Sequence, residues 1–299
     1  MTVTPARVRF YDVHSADGTR LRAWTNDAAG PTVLLCNGLG TNPNAWPSLT
    51  TPDCGVRIIS WNHRGTSGSD RPKDRSRVDL DAFVEDAIAI LDDAQVDHCV
   101  VMGWSAGVTV AFELAGRFPD RVDGIFAVAG VPGNTLGTSL RTLHVPGFVA
   151  KPVMTALARF TRAAGRVYAP VTTGFPVTTT TANLLRRTHM VDPSADPHVV
   201  REVTQEILST TPDWYAHLAL GIATHPRVRL SSISVPVTML AGTRDILTSA
   251  EQMKSAAAKL KDVIFIEIDA THFIPFGAPK LVLAELKNVL KRVDRQEAT

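Results

Sequence analysis

The stretch Gly103-Trp104-Ser105-Ala106-Gly107 constrains the fold of this chain more than any other feature of the sequence. The apolar run 98–102 before it is typical of a buried strand, and residues 106–115 after it predict a helix packed on the same sheet. Glycine suits so sharp a reversal, because a side chain on either side of the serine would clash within the turn. The pattern predicts a serine whose Oγ projects from the carboxyl end of a strand, beside the first N–H groups of a helix. The alternative is a glycine-rich turn that holds an incidental serine.

Strand and helix signals alternate through the two ends of the chain. Alternation of this kind predicts an α/β fold, with a mostly parallel sheet and helices on both of its faces. The expected strands are residues 7–13, 20–26, 32–36, 56–61, 100–103, 122–129, 235–241 and 263–268. The expected helices of this part are residues 80–92, 106–115, 249–260 and 279–292.

The alternation stops between residues 130 and 232, where only helical signals remain. Asp196-Pro197 and Thr211-Pro212 are each typical of a helix start, with a capping side chain followed by proline at the first helical position. The segment before these two helix starts also predicts a helix, with one apolar face formed by Val149, Val153, Leu157, Phe160 and Ala164. We interpret residues 131–232 as a helical lid inserted into a core of residues 1–130 and 233–299. The apolar faces of such a lid either pack on the core or line an apolar pocket.

Composition narrows the class of protein. The 299 residues are 44% hydrophobic and 20% charged, which is ordinary for a globular chain, and the net charge of +2 gives no reason to expect nucleic acid or an anionic membrane as a partner. Three cysteines favour reduced thiols in a cytoplasmic compartment. We expect no signal peptide and no membrane span. No metal-ligand spacing or dinucleotide fingerprint is present, so we expect neither metal nor cofactor.

A serine nucleophile needs a base and an acid, and both are found after later strands. Asp245 follows the strand at 235–241, and His272 follows the strand at 263–268. The order serine, aspartate, histidine suits this architecture, since the carboxyl ends of parallel strands share one edge of the sheet. Asp269 and Glu267 are rival candidates for the acid; Asp269 fits the turn before His272, and Glu267 falls inside the strand.

The chain resembles the α/β-hydrolase family over nearly its whole length. Four motifs carry the resemblance: Asn37-Gly38-Leu39-Gly40, Asn62-His63-Arg64-Gly65-Thr66-Ser67-Gly68, the serine turn, and the late Asp245 and His272. The resemblance implies an eight-stranded, mostly parallel sheet with a lid inserted after the sixth strand. It also implies that the backbone N–H groups of Leu39 and Ala106 form an oxyanion hole. Asn37 departs from the family, which commonly has histidine there, and Asn62 stands where aspartate is frequent.

The resemblance implies a cofactor-free serine hydrolase that acts on a small carboxylic ester with a hydrophobic acyl or alcohol part. In this reading His272 deprotonates Ser105, and Asp245 orients the imidazole. The alternatives are carbon–carbon bond hydrolysis, perhydrolysis of the haloperoxidase type, and a ligand receptor with weak turnover. The substrate contacts are predicted to come from Trp46, Trp104, Trp214 and Leu218, although each of these large side chains could instead fill the core.

Overall fold

The described part of the chain forms one eight-stranded sheet. The computed structural model describes residues 8–133, 147–223, 225 and 228–297. The strands are β1 Arg9–His14, β2 Arg20–Thr25, β3 Thr32–Cys36, β4 Arg57–Trp61, β5 Cys99–Trp104, β6 Val122–Val128, β7 Val237–Gly242 and β8 Val263–Ile268. They lie in the order β1-β2-β4-β3-β5-β6-β7-β8. Strand β2 is antiparallel to β1 and β4, and the neighbours from β4 to β8 run parallel.

Helices cover both faces of this sheet, which confirms the predicted α/β fold. They are α1 Leu80–Asp93, α2 Ala106–Arg117, α3 Gly147–Thr173, α4 Thr179–Arg187, α5 Pro197–Ser209, α6 Pro212–Ala223, α7 Ala250–Ala257, α8 Ile274–Gly277 and α9 Pro279–Glu297. One buried apolar cluster joins the sheet to α1, α2, α6 and α7. A second cluster, on the opposite face, joins it to α5, α8 and α9. No helix among the described residues is long and apolar enough to cross a membrane.

Strand β5 lies near the middle of the sheet and is buried along its whole length. It pairs with β3 on one side and β6 on the other, parallel to both. A strand buried on both faces needs the continuous apolar sequence that precedes Ser105. This central position fixes where the serine turn emerges from the sheet.

Helices α3 to α6 lie between β6 and β7 in the sequence, in the region predicted to be helical. Asp196 caps α5 by accepting the backbone N–H of His198 at 2.8 Å, and Pro197 is the first helical residue. Helix α6 also begins at a proline, Pro212, and the side chains of Trp214, Leu218 and Ile222 on it are buried. The predicted insert contains residues 134–146, 224, 226 and 227, which lie outside the described part.

Helix α3 differs from its prediction in the direction of its apolar face. The sequence suggested that the face packs on the core or lines a pocket, but Val153, Leu157 and Phe160 are 53–64% exposed. The opposite face packs on α6 instead. A Cβ atom at Gly165 would lie 2.4 Å from the backbone nitrogen of Asp213, so the two helices are closer than a side chain would allow. The close contact with α6 is therefore made on the side of α3 that holds Gly165, and the larger apolar residues of α3 are left exposed.

Candidate active site

The structure brings Ser105, His272 and Asp245 together at the carboxyl edge of the sheet. Ser105 joins β5 to α2, Asp245 follows β7, and His272 lies between β8 and α8. The Oγ atom of Ser105 lies 2.9 Å from Nε2 of His272. The other ring nitrogen, Nδ1, lies 2.7 Å from Oδ2 of Asp245. These distances suit a nucleophile in contact with a base, and a base held by an acid.

The backbone of Ser105 is in the left-handed region, with φ +55° and ψ −118°. A non-glycine residue in such a sparsely populated conformation costs about 1–3 kcal/mol. The turn is tight on both sides. A Cβ atom at Gly103 would lie 2.6 Å from the carbonyl oxygen of Gly107, and one at Gly107 would lie 2.0 Å from that of Cys36. Both flanking glycines are therefore required by close backbone approach.

Asp245 is fully buried, and both of its carboxylate oxygens are engaged. Oδ1 accepts the backbone N–H groups of Leu247 at 2.8 Å and Thr248 at 2.7 Å, which leaves Oδ2 for His272. The rival Asp269 has a largely exposed side chain and pairs with Arg244 at 2.6 Å. Glu267 lies within β8. Among these three carboxylates, the geometry places Asp245 against the histidine.

The predicted oxyanion donors lie where the loop after β3 meets the first turn of α2. Ala106 is the first residue of α2, and Leu39 lies in the loop. Because Gly107 packs directly on the carbonyl groups of Cys36 and Asn37, the loop and the helix N-terminus are adjacent. Within the described residues, neither the N–H of Leu39 nor that of Ala106 has a hydrogen-bond acceptor. Both donors are available to an oxygen atom of a bound substrate.

Asn37 supports this loop with both ends of its buried amide. Its Nδ2 donates to Oγ of Ser60 at 2.9 Å, and its Oδ1 accepts from Nε1 of Trp46 at 2.7 Å. The side chain thus ties the loop to β4 and to the turn that holds Trp46. These two hydrogen bonds anchor the loop at Asn37.

Asn62 of the second motif stabilises its own turn. The Nδ2 of Asn62 donates across its turn to the carbonyl of Ser67 at 2.7 Å. The next residue but one, Arg64, is fully buried and makes a bidentate ion pair with Asp86 of α1. Removing one partner of a buried ion pair commonly costs about 3–5 kcal/mol, so this pair holds the loop after β4 firmly on α1.

The four side chains predicted to contact substrate lie in the packed core, and we correct that expectation. Trp46, Trp104, Trp214 and Leu218 are each at most 2% exposed. The indole N–H of Trp104 donates to the carbonyl of His272 at 3.1 Å, and that of Trp214 donates to the carbonyl of Arg64 at 2.8 Å. Trp46 packs edge-on against Trp104. Their contacts make Trp104 a support for the histidine loop, and Trp46 a support for Asn37.

Two aromatic residues that the sequence did not single out lie beside the site. The hydroxyl of Tyr215, on α6, donates to the carbonyl of Leu39 at 3.4 Å, and its ring covers Gly40. Burial raises the pKa of Tyr215, which keeps the phenol protonated. The half-buried ring of Phe273 lies 5.6 Å, centre to centre, from that of His272. Tyr215 follows Trp214 in the sequence, and Phe273 follows His272. No motif or sequence spacing indicates that either of these two residues lies beside the site.

No group of three or more potential metal ligands lies together among the residues that the structure describes. The polar groups that the structure brings together at this edge of the sheet include a hydroxyl, an imidazole, a carboxylate and two backbone N–H groups.

Comparison with known proteins shows the family. A model of the alpha/beta hydrolase fold family matches residues 31–279. The chain is 22% identical to 3-oxoadipate enol-lactonase 2 of Acinetobacter baylyi over 286 residues, which cover 95% of this chain and 97% of that protein. It is 31% identical to an epoxide hydrolase of Caballeronia sordidicola over 134 residues, covering 44% of this chain and 40% of that one. This protein belongs to the alpha/beta hydrolase fold family.

Solved structures agree on the fold. A thermophilic esterase from Thermogutta terrifontis aligns with a TM-score of 0.70 at 20% identity, covering 95% of this chain and 99% of that one. The enol-lactonase from Burkholderia xenovorans LB400 aligns with a TM-score of 0.70 at 19% identity, covering 95% and 100%. At these identities the likeness establishes the shared architecture.

Proposed function

We propose that this protein hydrolyses carboxylic esters through a covalent acyl-enzyme on Ser105. The observation that carries the proposal is the unbroken hydrogen-bonded chain from Ser105 through His272 to Asp245. A serine hydroxyl is a weak nucleophile until an adjacent base accepts its proton. The chain supplies that base in contact with the hydroxyl, and it supplies the acid that orients the base.

The reaction proceeds in two similar halves. His272 takes the proton of Ser105 as Oγ attacks the ester carbonyl, and it then gives that proton to the departing alcohol. Water, deprotonated by the same imidazole, attacks the acyl-enzyme, and the acid product leaves as Oγ recovers its proton. The N–H groups of Leu39 and Ala106 stabilise the negative oxygen in both halves, a contribution of about 3–4 kcal/mol for each donor.

A hydrophobic acyl or alcohol part suits the surroundings of Ser105. Among the described residues, Leu39, Tyr215 and Phe273 are partly buried beside the site, and none of these three carries a charge. Binding of an apolar substrate group against these side chains is favourable, because it removes apolar surface from water. Helix α6 brings Tyr215 to this place, which supports a lid role for the helices of residues 131–232 over a core of residues 1–130 and 233–299.

One of the named relatives, the enol-lactonase, fits the proposed reaction class. An enol-lactone is a cyclic ester, and the relative from Acinetobacter baylyi that spans almost the whole chain is named as an enol-lactonase.

Cys36, Cys54 and Cys99 are all buried and free of disulfides, which suits a reducing compartment such as the cytoplasm.

The test is a rate series on aryl esters from acetate to decanoate, with wild-type protein and Ser105→Ala. We expect hydrolysis by the wild type, and a loss of at least about 10⁴-fold in kcat for the variant, with an unchanged circular dichroism spectrum. Equal hydrolysis by the folded variant would contradict the proposal. Parallel assays with a diketone, and with peroxide plus acetate, assign the activity to carbon–carbon hydrolysis or perhydrolysis if either exceeds the ester rate.

A further inference from the structure

A small cavity lies where α6 meets α3 and the segment that leads into α1. Its volume is about 310 Å³, near the lower end of the range for sites that bind small molecules. The wall combines positive charge with apolar surface. The side chains that carry these two properties are Arg159 and Arg162 of α3, His217 and Leu220 of α6, and Val78 just before α1.

This cavity is separate from the site of Ser105. The ring of Tyr215 covers Gly40 on one side of α6, beside the loop of the predicted oxyanion donor. By helical spacing, His217 and Leu220 lie on the opposite side of that helix. A ligand held in the cavity would therefore not touch the serine or its histidine.

Arg159 and Arg162 are neighbouring cations that no protein carboxylate neutralises. They lie one turn apart on α3, both are exposed, and neither makes an ion pair with the residues that the structure describes. Like charges at this spacing repel each other. Asp213, at the start of α6, pairs with Arg166 instead, at 3.0 Å. An anion in the cavity would supply the negative charge that the two arginines lack.

The charges on the wall favour a ligand with a single negative charge. Asp79, the capping residue of α1, is the acidic residue among the described ones that line the cavity, and it offsets one of the two arginines. Arg77 lies 3.9 Å from Asp79 but also pairs with Glu85, so it does not neutralise Asp79 alone. A carboxylate carries one negative charge, whereas a phosphate monoester carries about −1.5 to −2 at pH 7. The balance of one positive charge fits a carboxylate.

We propose that this cavity binds a small carboxylate with a short apolar chain. A guanidinium group donates two parallel hydrogen bonds to a carboxylate, so Arg159 and Arg162 would hold the acid group. The apolar part of the wall, at Val78 and Leu220, suits the chain. Binding requires neither the serine nor its base, so the site is independent of the proposed hydrolysis.

The experiment is isothermal titration calorimetry of the full chain with hexanoate, acetate, inorganic phosphate and hexylammonium. Hexanoate is expected to bind more tightly than acetate or phosphate, and its affinity is expected to weaken as salt rises. Hexylammonium, which has the same chain and the opposite charge, should not bind. The double variant Arg159→Gln with Arg162→Gln should raise the Kd for hexanoate by at least about tenfold, because a charge-assisted hydrogen bond is worth about that much.

Lys151→Gln with Arg187→Gln is the matched control, because it removes two exposed positive charges that do not line the cavity. It should bind hexanoate like the wild type, and circular dichroism should show both double variants folded. No binding of hexanoate by the wild type, or equal binding by the variant of Arg159 and Arg162, would overturn the proposal. Phosphate or hexylammonium bound as tightly as hexanoate would also overturn it, because the cavity would then not select a carboxylate.

Discussion

At the scale of single residues, the proposed mechanism sets the backbone strain at Ser105 against a catalytic gain. The left-handed conformation of Ser105 costs about 1–3 kcal/mol of stability. The N–H groups of Ala106 and Leu39 have no acceptor among the described residues. In the proposed mechanism they would bind the oxyanion, and each such donor is worth about 3–4 kcal/mol in the transition state. The glycines at 103 and 107 permit the turn, and the indole of Trp104 holds the loop of His272 from behind.

The carboxylate of Asp245 gives the sharpest residue-scale prediction. Asp245→Asn keeps the size of the side chain but presents either an N–H or a neutral oxygen to Nδ1 of His272, so the imidazole is no longer held in the productive tautomer. We expect kcat for an aryl ester to fall by about 10⁴-fold. Asp269→Asn, which changes an exposed carboxylate outside the hydrogen-bonded chain, should leave kcat near the wild-type value. A comparable loss in both variants would contradict the assignment of Asp245.

At the scale of elements, the positions of strands and helices followed from sequence pattern. The predicted bounds of β3 and β8 agree with the structure, and α5 and α6 begin at the prolines expected to start them. Local chemistry decides these boundaries: apolar runs, capping side chains and proline. The predicted parallel sheet also places Ser105, Asp245 and His272 at one edge, and in the structure they lie within hydrogen-bond distance of one another there.

Side-chain direction was the part that sequence pattern could not supply. Trp46, Trp104 and Trp214 are large and aromatic, which suits either a pocket or a core, and only tertiary packing shows that they are buried. The apolar periodicity of α3 predicted its helix correctly but not its partner. Gly165 lets α6 approach the side of α3 away from its large apolar residues. This contact joins residues nearly 50 positions apart in the sequence, Gly165 and Asp213, so the local pattern of α3 does not predict it.

At the scale of the whole molecule, stability depends on how the loop after β4 packs against the sheet and α1. His63 in this loop is almost fully buried against Phe83 of α1, and its Nδ1 has no hydrogen-bond partner among the described residues. Burial lowers the pKa of His63 to about 4, from an ordinary value of 6.5. The folded protein therefore favours the neutral imidazole.

This depressed pKa predicts a loss of stability in acid. The unfolded chain binds a proton at His63 near pH 6.5, while the folded chain resists it down to about pH 4. The free energy of unfolding therefore falls as pH drops from 6.5 to 4, by about 3 kcal/mol from this residue. Urea denaturation at a series of pH values measures the effect. His63→Gln should flatten this component of the pH dependence, and His14→Gln, at an exposed site, should retain it. An unchanged pH profile in His63→Gln would show that the imidazole is not the cause.

The most direct test of Ser105 as the nucleophile is covalent labelling with a fluorophosphonate. A serine activated by His272 and Asp245 attacks phosphorus, loses its proton to the imidazole and displaces fluoride. The serine then retains the phosphonyl group, which adds a defined mass to the intact protein. We expect one label per chain, located on Ser105 by peptide mass spectrometry. We expect no label on Ser105→Ala and full labelling of Ser194→Ala, whose serine is exposed and outside the site. An unlabelled wild-type protein, or a label retained by folded Ser105→Ala, would contradict Ser105 as the nucleophile.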